Sequence, residues 1–374
     1  MIKVVFGGMH PSVVPKETIS YADVDFVVKG EGELTMLELI ESLNKQGQLG
    51  AIKGLLFKKD GDIIENANRE LIDDLDSLPF PSRSLFKNIS YTYPDALYAE
   101  CAPIITSRCC PGRCTYCNAS SIFGRIFRAR SAENIVDEIE YLIRDYCIKE
   151  VHIWDDNFVT KKERVFQIRD EILKRNIKIK FAFPNGIRAD FLDKEILKAL
   201  KEMGTYSIAI GVESGSQKVL DMAKKGIRLQ KIVNAFELAR ELHLETWAFF
   251  MFGLPGEDTA SANETIDFAK RLNPDIAKFH ILKPYPGTEV HQYLKENDLL
   301  LSYIYDNYGI HTAPVHRLHN LSEAQLLMLQ KKAYQDFYFR PGKILQQAMR
   351  IKSLNRLRVN LKSALDVAKM ALTD

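Results

Sequence analysis

Across 374 residues the chain carries 51 basic and 49 acidic side chains, so no net field recruits a polyanion and no nucleic-acid partner is expected. Its 46% hydrophobic content excludes a disordered protein and supplies core for two or three domains. The longest apolar run, Trp247 to Pro255, is too short to span a bilayer, and the N-terminus reads as a strand rather than a signal peptide.

In chain order, Val4 to Gly8 predicts a strand running into a glycine turn, and Asp25 to Val28 a second, closed by Gly30-Glu-Gly-Glu33. Leu78-Pro-Phe-Pro-Ser-Arg83 and the aromatic stretch to Tyr98 read as an inter-domain linker. From Ala102 to Arg108 an apolar strand leads into a cysteine-rich loop. Ser131 is the expected N-cap of the next helix, with Ile135, Ile139, Leu142 and Ile143 on one face. Val151 to Trp154 forms a strand ending at Asp155 and Asp156, and Ile177 to Phe183 another ending near Asn185 and Arg188. A helix from about Asp193 stops at Gly204, a suitable residue just past a helix end. Tyr206 to Val212 ends in Glu213, and a helical pair from Ser216 to Leu242 breaks at Gly226. Thr246 to Phe252 ends in Gly253-Leu-Pro-Gly256-Glu257, and Ala277 to Leu282 ends in Lys283-Pro-Tyr-Pro-Gly287.

These are six β/α units, each with polar or glycine-rich residues at the C-terminal end of its strand, where parallel barrels assemble active sites. The expected fold is α/β: a partial TIM barrel over 101–290, preceded by an incomplete flavodoxin-like segment (1–75) and a linker (76–100). A helical extension (291–374) follows. Asp155, Asp156, Arg188 and Glu213 should gather above the same opening as the cysteine loop, although any one of them taken singly reads first as a loop cap or a surface ion pair.

Cys110-Pro-Gly-Arg-Cys114-Thr-Tyr-Cys117 has C-x3-C-x2-C spacing with an aromatic residue before the last thiol. Three thiolates so spaced can converge on one face of an iron–sulfur cube. Electron-transfer clusters are held by four cysteines, so three leave one iron open to a small molecule. The alternative is zinc, with Cys109 or Cys110 joining Cys114 and Cys117, although no second ligand pair is present. Cys109 should point away from the cluster, and Cys101 and Cys147 read as buried apolar residues. An iron–sulfur site needs thiolates kept reduced, so the expected location is cytoplasmic.

The loop, the six units and the phrases around them resemble the radical SAM superfamily. More narrowly the chain is similar to its cobalamin-linked branch, which includes the anaerobic magnesium-protoporphyrin monomethyl ester cyclases. The resemblance rests on Gly7-Gly-Met-His-Pro-Ser12, Gly30-Glu-Gly-Glu33, Leu78-Pro-Phe-Pro81, Asp155-Asp-Asn-Phe158, Gly211-Val-Glu-Ser-Gly215 and Gly253-Leu-Pro-Gly256, and covers about Val4 to Thr288. It implies a 4Fe–4S cluster on Cys110, Cys114 and Cys117, whose open iron chelates S-adenosylmethionine. Reductive cleavage then yields a radical that takes hydrogen from an unactivated C–H bond of a small-molecule or lipid-like substrate. An external one-electron reductant, such as a ferredoxin or flavodoxin, is the implied partner.

By the same resemblance Tyr116, Asp155, Asp156, Arg188, Glu213 and Gly253 would bind S-adenosylmethionine. Asp155 and Asp156 stand where family members usually carry Gly-Gly-Glu-Pro. Gly7, Gly8, Gly30 and Gly32 would belong to a cobalamin site, but two strands cannot build a doubly wound sheet. Either the chain is a truncated form, or a remnant packs on the barrel without a corrinoid. His10 reads as a turn histidine, and His311, His316 and His319 as loop residues at the surface. Between Arg340 and Asp374 lie eight Lys or Arg and two acidic residues. That composition suits an anionic membrane surface, although a helix packed on the barrel is the commoner arrangement. A zinc-stabilised or inactive binding protein, or a partner of a full-length homologue, is the alternative to an enzyme. Methyl transfer and cyclisation stay open within the enzyme class.

Overall fold

The computed structural model describes residues 2–45, 47–86, 93, 96–310 and 312–349. Most of the aromatic linker stretch, His311 and the basic residues from 350 onward lie outside the described residues.

The N-terminal segment is a four-stranded sheet in the order β1 (Val5–Gly7), β2 (Phe26–Val28), β3 (Leu55–Lys59) and β4 (Asp62–Glu65). Only β1 and β2 are parallel; β3 and β4 form an antiparallel hairpin. The sequence reading missed that hairpin, although Asp60-Gly61, both at positive φ (50° and 93°), is the pair its tight turn demands. Helices α1 (Met9–Val13) and α2 (Pro15–Ser20) lie between β1 and β2, and α3 (Glu33–Lys45) follows β2. Leu39 of α3 packs with Phe26, Val28, Leu55 and Phe57 in the segment's own core.

The second sheet has six parallel strands in sequential order. They are β5 (Cys101–Ile104), β8 (Glu150–Ile153), β9 (Lys180–Arg188), β10 (Thr205–Glu213), β11 (Glu245–Phe252) and β12 (Ile276–Ile281). The connecting helices are α5 (Ala132–Tyr146), α6 (Lys162–Lys174), α7 (Lys194–Glu202), α8 (Gln217–Met222) with α9 (Leu229–Glu241), and α10 (Thr259–Leu272). The expected caps are in place: Ser131 accepts from the Asn134 amide and Asp193 from the Ile196 amide. Expected as one strand, Ala102 to Arg108 divides into β5 and a two-residue β6 (Ser107–Arg108), which pairs with β7 (Arg128–Ala129). Between β6 and β7 lie the cysteine loop and the short α4 (Ala119–Phe123).

A six-stranded partial barrel leaves two open edges, and unpaired backbone there must find other partners. At β12 helix α12 (Glu323–Tyr338) supplies them. Tyr338 Oη donates to Ala277 O and accepts from Ala277 N, Tyr334 Oη accepts from Phe279 N, and Gln330 donates to Phe279 O. Leu326, Leu329, Ala333 and Phe337 bury the apolar face of α12 in the main core. At β5, Pro103 has no N–H to leave open, and Arg83 donates to its carbonyl at 2.8 Å. Glu150, at the N-terminal end of β8, is wholly buried and accepts from Leu97 N, Tyr98 N and Tyr206 Oη, with His152 Nε2 at 2.7 Å. The last helices are α11 (Glu289–Glu296) and α13 (Pro341–Met349). No helix among the described residues is long and apolar enough to cross a membrane.

Candidate active site

The strand ends assemble around the cysteine loop through hydrogen bonds that leave little freedom. Asp155, buried at the end of β8, accepts from Thr106 N and Thr106 Oγ1 at 2.6 Å and from Ser107 Oγ at 2.5 Å. This carboxylate ties down the chain entering the loop, and it is why the strand from Ala102 breaks where it does. Asp156 accepts from Cys109 N at 3.1 Å, and burial raises its carboxyl above the usual range. Of the two aspartates, Asp156 is the one that keeps a carboxylate oxygen outside these hydrogen bonds.

Cys110, Cys114 and Cys117 line one cavity of about 450 Å³, shared with Gly112, Arg113, Ser121, Arg125 and His291. No fourth cysteine lines it. Cys109 adopts φ 80°, is wholly buried and donates its thiol to Cys110 O, so it turns out of the group. Cys110 and Cys114 are half-buried and Cys117 is exposed. Cys101 is half-buried and Cys147 exposed, against the expectation that both are buried; Cys147 occupies the left-handed cap position that ends α5.

Gly112 sets how tightly the loop closes. A Cβ there would lie 2.9 Å from Arg188 Nη1, 3.4 Å from Cys110 Sγ and 3.7 Å from Cys114 Sγ. Arg188 arrives from the end of β9 with Nη1 4.0 Å from Cys114 Sγ, held by Asp190 and by Lys225 O. The loop is sewn to the barrel by Thr115, whose amide donates to Ala223 O and whose carbonyl accepts from Val290 N. Burial, with Glu213 and Cys114 beside it, holds the Tyr116 phenol well above its usual range.

Glu213 ends β10 at φ 65°, a conformation that strains a non-glycine residue and recurs at functional sites. Its carboxylate pairs with Lys225 Nζ at 3.0 Å, both side chains largely buried. Gly211 makes room for the pair: a Cβ there would meet Glu213 Oε1 at 2.8 Å. Gly253 follows β11 at φ 87°, with its amide bonded to Glu257 Oε2 at 2.5 Å and its carbonyl accepting from His316 Nε2 at 2.9 Å. His316, expected at the surface, is therefore fully buried, while His319 is exposed. Sequence reasoning also missed Lys225, which no spacing motif marks. Glu257 could have been found, because it directly follows the Gly253-Leu-Pro-Gly256 phrase.

Burial pushes the Glu257 carboxyl from an ordinary 4.5 up to about 8, and the His316 imidazole from 6.5 down to about 4. Between 4.5 and 8 the folded protein keeps a proton on Glu257 that the unfolded chain has released, so this contribution falls as pH rises. Between 4 and 6.5 the unfolded chain holds the extra proton, on His316, so that contribution rises with pH. The two oppose each other until His316 is neutral in both states. Stability is then expected to fall by about 1 kcal/mol from about pH 6.5 to 8. Denaturant melts across that range check it, with Glu257→Gln expected to flatten the slope.

Gly7 ends β1 and Gly8 follows it, and Gly30 and Gly32 follow β2, so all four sit at the C-terminal ends of parallel strands. Gly8 (φ 97°) and Gly30 (φ 71°) face open space, with no atom within 4 Å of where a Cβ would stand. Helix α1 reaches the barrel, where Val13 fills the space a side chain on Gly287 would need. His10 is exposed and meets the Tyr305 ring edge-on at 4.5 Å.

A family model described as the radical SAM superfamily matches residues 104–269. An uncharacterized methyltransferase of Pyrococcus horikoshii is 34% identical over 90% of this chain and 72% of its own length. The chain belongs to the radical SAM superfamily. Membership makes it an enzyme that uses a 4Fe–4S cluster and S-adenosylmethionine. The anaerobic magnesium-protoporphyrin IX monomethyl ester cyclase of Cereibacter sphaeroides is 27% identical over 90% of this chain and 55% of its own. Among solved structures, the cobalamin-dependent S-adenosylmethionine radical enzyme OxsB superposes with a TM-score of 0.73 at 19% identity. That match covers 98% of this chain and 58% of OxsB. The chain thus spans little more than half the length of these last two proteins.

Proposed function

We propose that this radical SAM chain abstracts hydrogen from an unactivated C–H bond of a small-molecule or lipid-like substrate, in a methyl-transfer or cyclase-type reaction. The observation that carries the site assignment is the convergence of Cys110, Cys114 and Cys117 on one cavity that a single Cβ at Gly112 would invade. That cradle and its donor set fit a cluster with one iron left for S-adenosylmethionine. Bound there, the pair supplies one-electron cleavage of a sulfonium–carbon bond.

The chain's own groups have distinct tasks. The three thiolates hold the cluster, and Arg188 offsets negative charge at Cys114. Asp156, with one carboxylate oxygen outside its hydrogen bond to Cys109 N, would meet the S-adenosylmethionine amino group, while Asp155 shapes the loop. Glu213, Tyr116 and the Gly253 turn would take the remaining cofactor contacts by the family resemblance, although none of them lines the cavity that the cysteines share. Gly8 and Gly30 leave an open face, which with Gly7 and Gly32 would suit cobalamin, the group on which OxsB depends. An external one-electron donor, a ferredoxin or flavodoxin, completes the reaction.

Anaerobic reconstitution followed by a strong reductant and S-adenosylmethionine tests the reading, with 5′-deoxyadenosine as the expected product. Cluster-loaded, reduced protein that forms none overturns it. Cobalamin added to the same protein should show a bound-state visible spectrum; an unchanged spectrum removes the corrinoid and leaves the cluster chemistry standing.

A further inference from the structure

The Gly30-Glu-Gly-Glu33 turn, read from sequence as part of a cofactor segment, carries a buried charge that the chemistry above does not use. The Glu31 side chain is 2% exposed and pairs with two arginines, Arg108 at 2.8 Å and Arg128 at 2.9 Å. It also accepts from Ile72 N at 2.7 Å, and Arg128 donates to Ile72 O and Phe123 O. Glu33 takes the other arm of Arg108. Two carboxylates and two guanidinium groups thus balance, and a buried cluster of this kind holds its geometry because losing one partner strands the others.

The position of the two arginines gives the cluster its meaning. Arg108 and Arg128 are direct partners across the β6–β7 ribbon. That ribbon is the neck from which the whole cysteine loop hangs, with Arg108 two residues before Cys110. One carboxylate from the N-terminal segment therefore grips both strands of the neck. The turn that carries Glu31 needs its flanking glycines: Gly30 has φ 71°, in the left-handed region, and a Cβ on Gly32 would touch Val28 Cγ1 at 3.4 Å.

We propose that Glu31 is a positioning residue of the cluster site, fixing through Arg108 and Arg128 the spread at which the three cysteines meet their cluster. The N-terminal segment is then a working part of the cluster site, whatever else binds to it. This rests on the cluster reading above.

The test compares Glu31→Gln, Glu31→Asp and Glu150→Gln with the natural protein after anaerobic reconstitution. Glu150 is a matched control: a carboxylate at least as buried, at the opposite end of the barrel sheet. Iron per chain, the electron paramagnetic resonance spectrum of the reduced cluster with and without S-adenosylmethionine, and the thermal melt are read together. Glu31→Gln should lower cluster retention roughly tenfold, the usual scale for removing a group that orients metal ligands. It should also alter the spectrum seen with S-adenosylmethionine. Glu31→Asp should fold and recover part of both losses, and Glu150→Gln should lower the melt and leave the spectrum unchanged. Wild-type iron content and spectrum in Glu31→Gln overturn the proposal; if that variant does not fold, an unshifted spectrum in Glu31→Asp overturns it. Natural protein that takes up no iron overturns the cluster reading itself, a different and recognisable result.

Discussion

Replacing Cys110, Cys114 or Cys117 with alanine, one at a time, is expected to abolish 5′-deoxyadenosine formation and to strip most of the iron from reconstituted protein. The reason is ligand arithmetic. Four cysteines hold an ordinary cluster; three already leave one iron to the substrate, and two leave a second iron with no protein ligand. No fourth cysteine lines the cavity to stand in. Natural protein should carry about four irons per chain, and each variant well below that, measured with the deoxyadenosine yield. Cys109→Ala and Cys147→Ala are the controls. Cys109 is turned into the core at φ 80° and Cys147 sits exposed beyond α5, so neither should change iron content. A zinc site drawing on Cys109 would respond to the first control, so the series separates the two metals by residue as well as by elemental analysis.

How much of this could be read in advance depended on how local each cause was. The six barrel units were legible because apolar strands alternate with amphipathic helices whose caps, Ser131 and Asp193, are coded by the residue at the turn itself. The cysteine loop was legible for the same reason: three ligands fall within eight residues. The break after Ile104 was not, because Asp155, 49 residues away, pulls Thr106 aside. His316 looked like a surface loop residue because its partner, Gly253, lies 63 positions away and contributes only a carbonyl. Glu31 stood in a phrase noticed for its glycines, while the charges that give it a task, Arg108 and Arg128, follow 77 and 97 residues later. The β3–β4 hairpin is a different kind of miss, since Asp60-Gly61 was there to be seen.

Lys225→Met should destabilise the protein by about 3–5 kcal/mol, because it leaves Glu213 buried without its cation. Neither side chain can escape to water: Lys225 is 5% exposed and Glu213 12%. Gly211 packs so closely beneath them that the pair has little room to rearrange. The damage should spread, since this short stretch also supplies Lys225 O to Arg188 and Ala223 O to Thr115 in the cysteine loop. Loss of stability alone would not distinguish a structural ion pair from a working carboxylate. The double variant Glu213→Met, Lys225→Met does, because two apolar side chains of similar volume often restore what a broken buried pair loses. Denaturant melts should therefore show the double variant recovering most of the stability. If Glu213 borders S-adenosylmethionine, deoxyadenosine formation should stay low in that restored fold. Activity that returns together with stability would show that Glu213 serves the barrel rather than the cofactor.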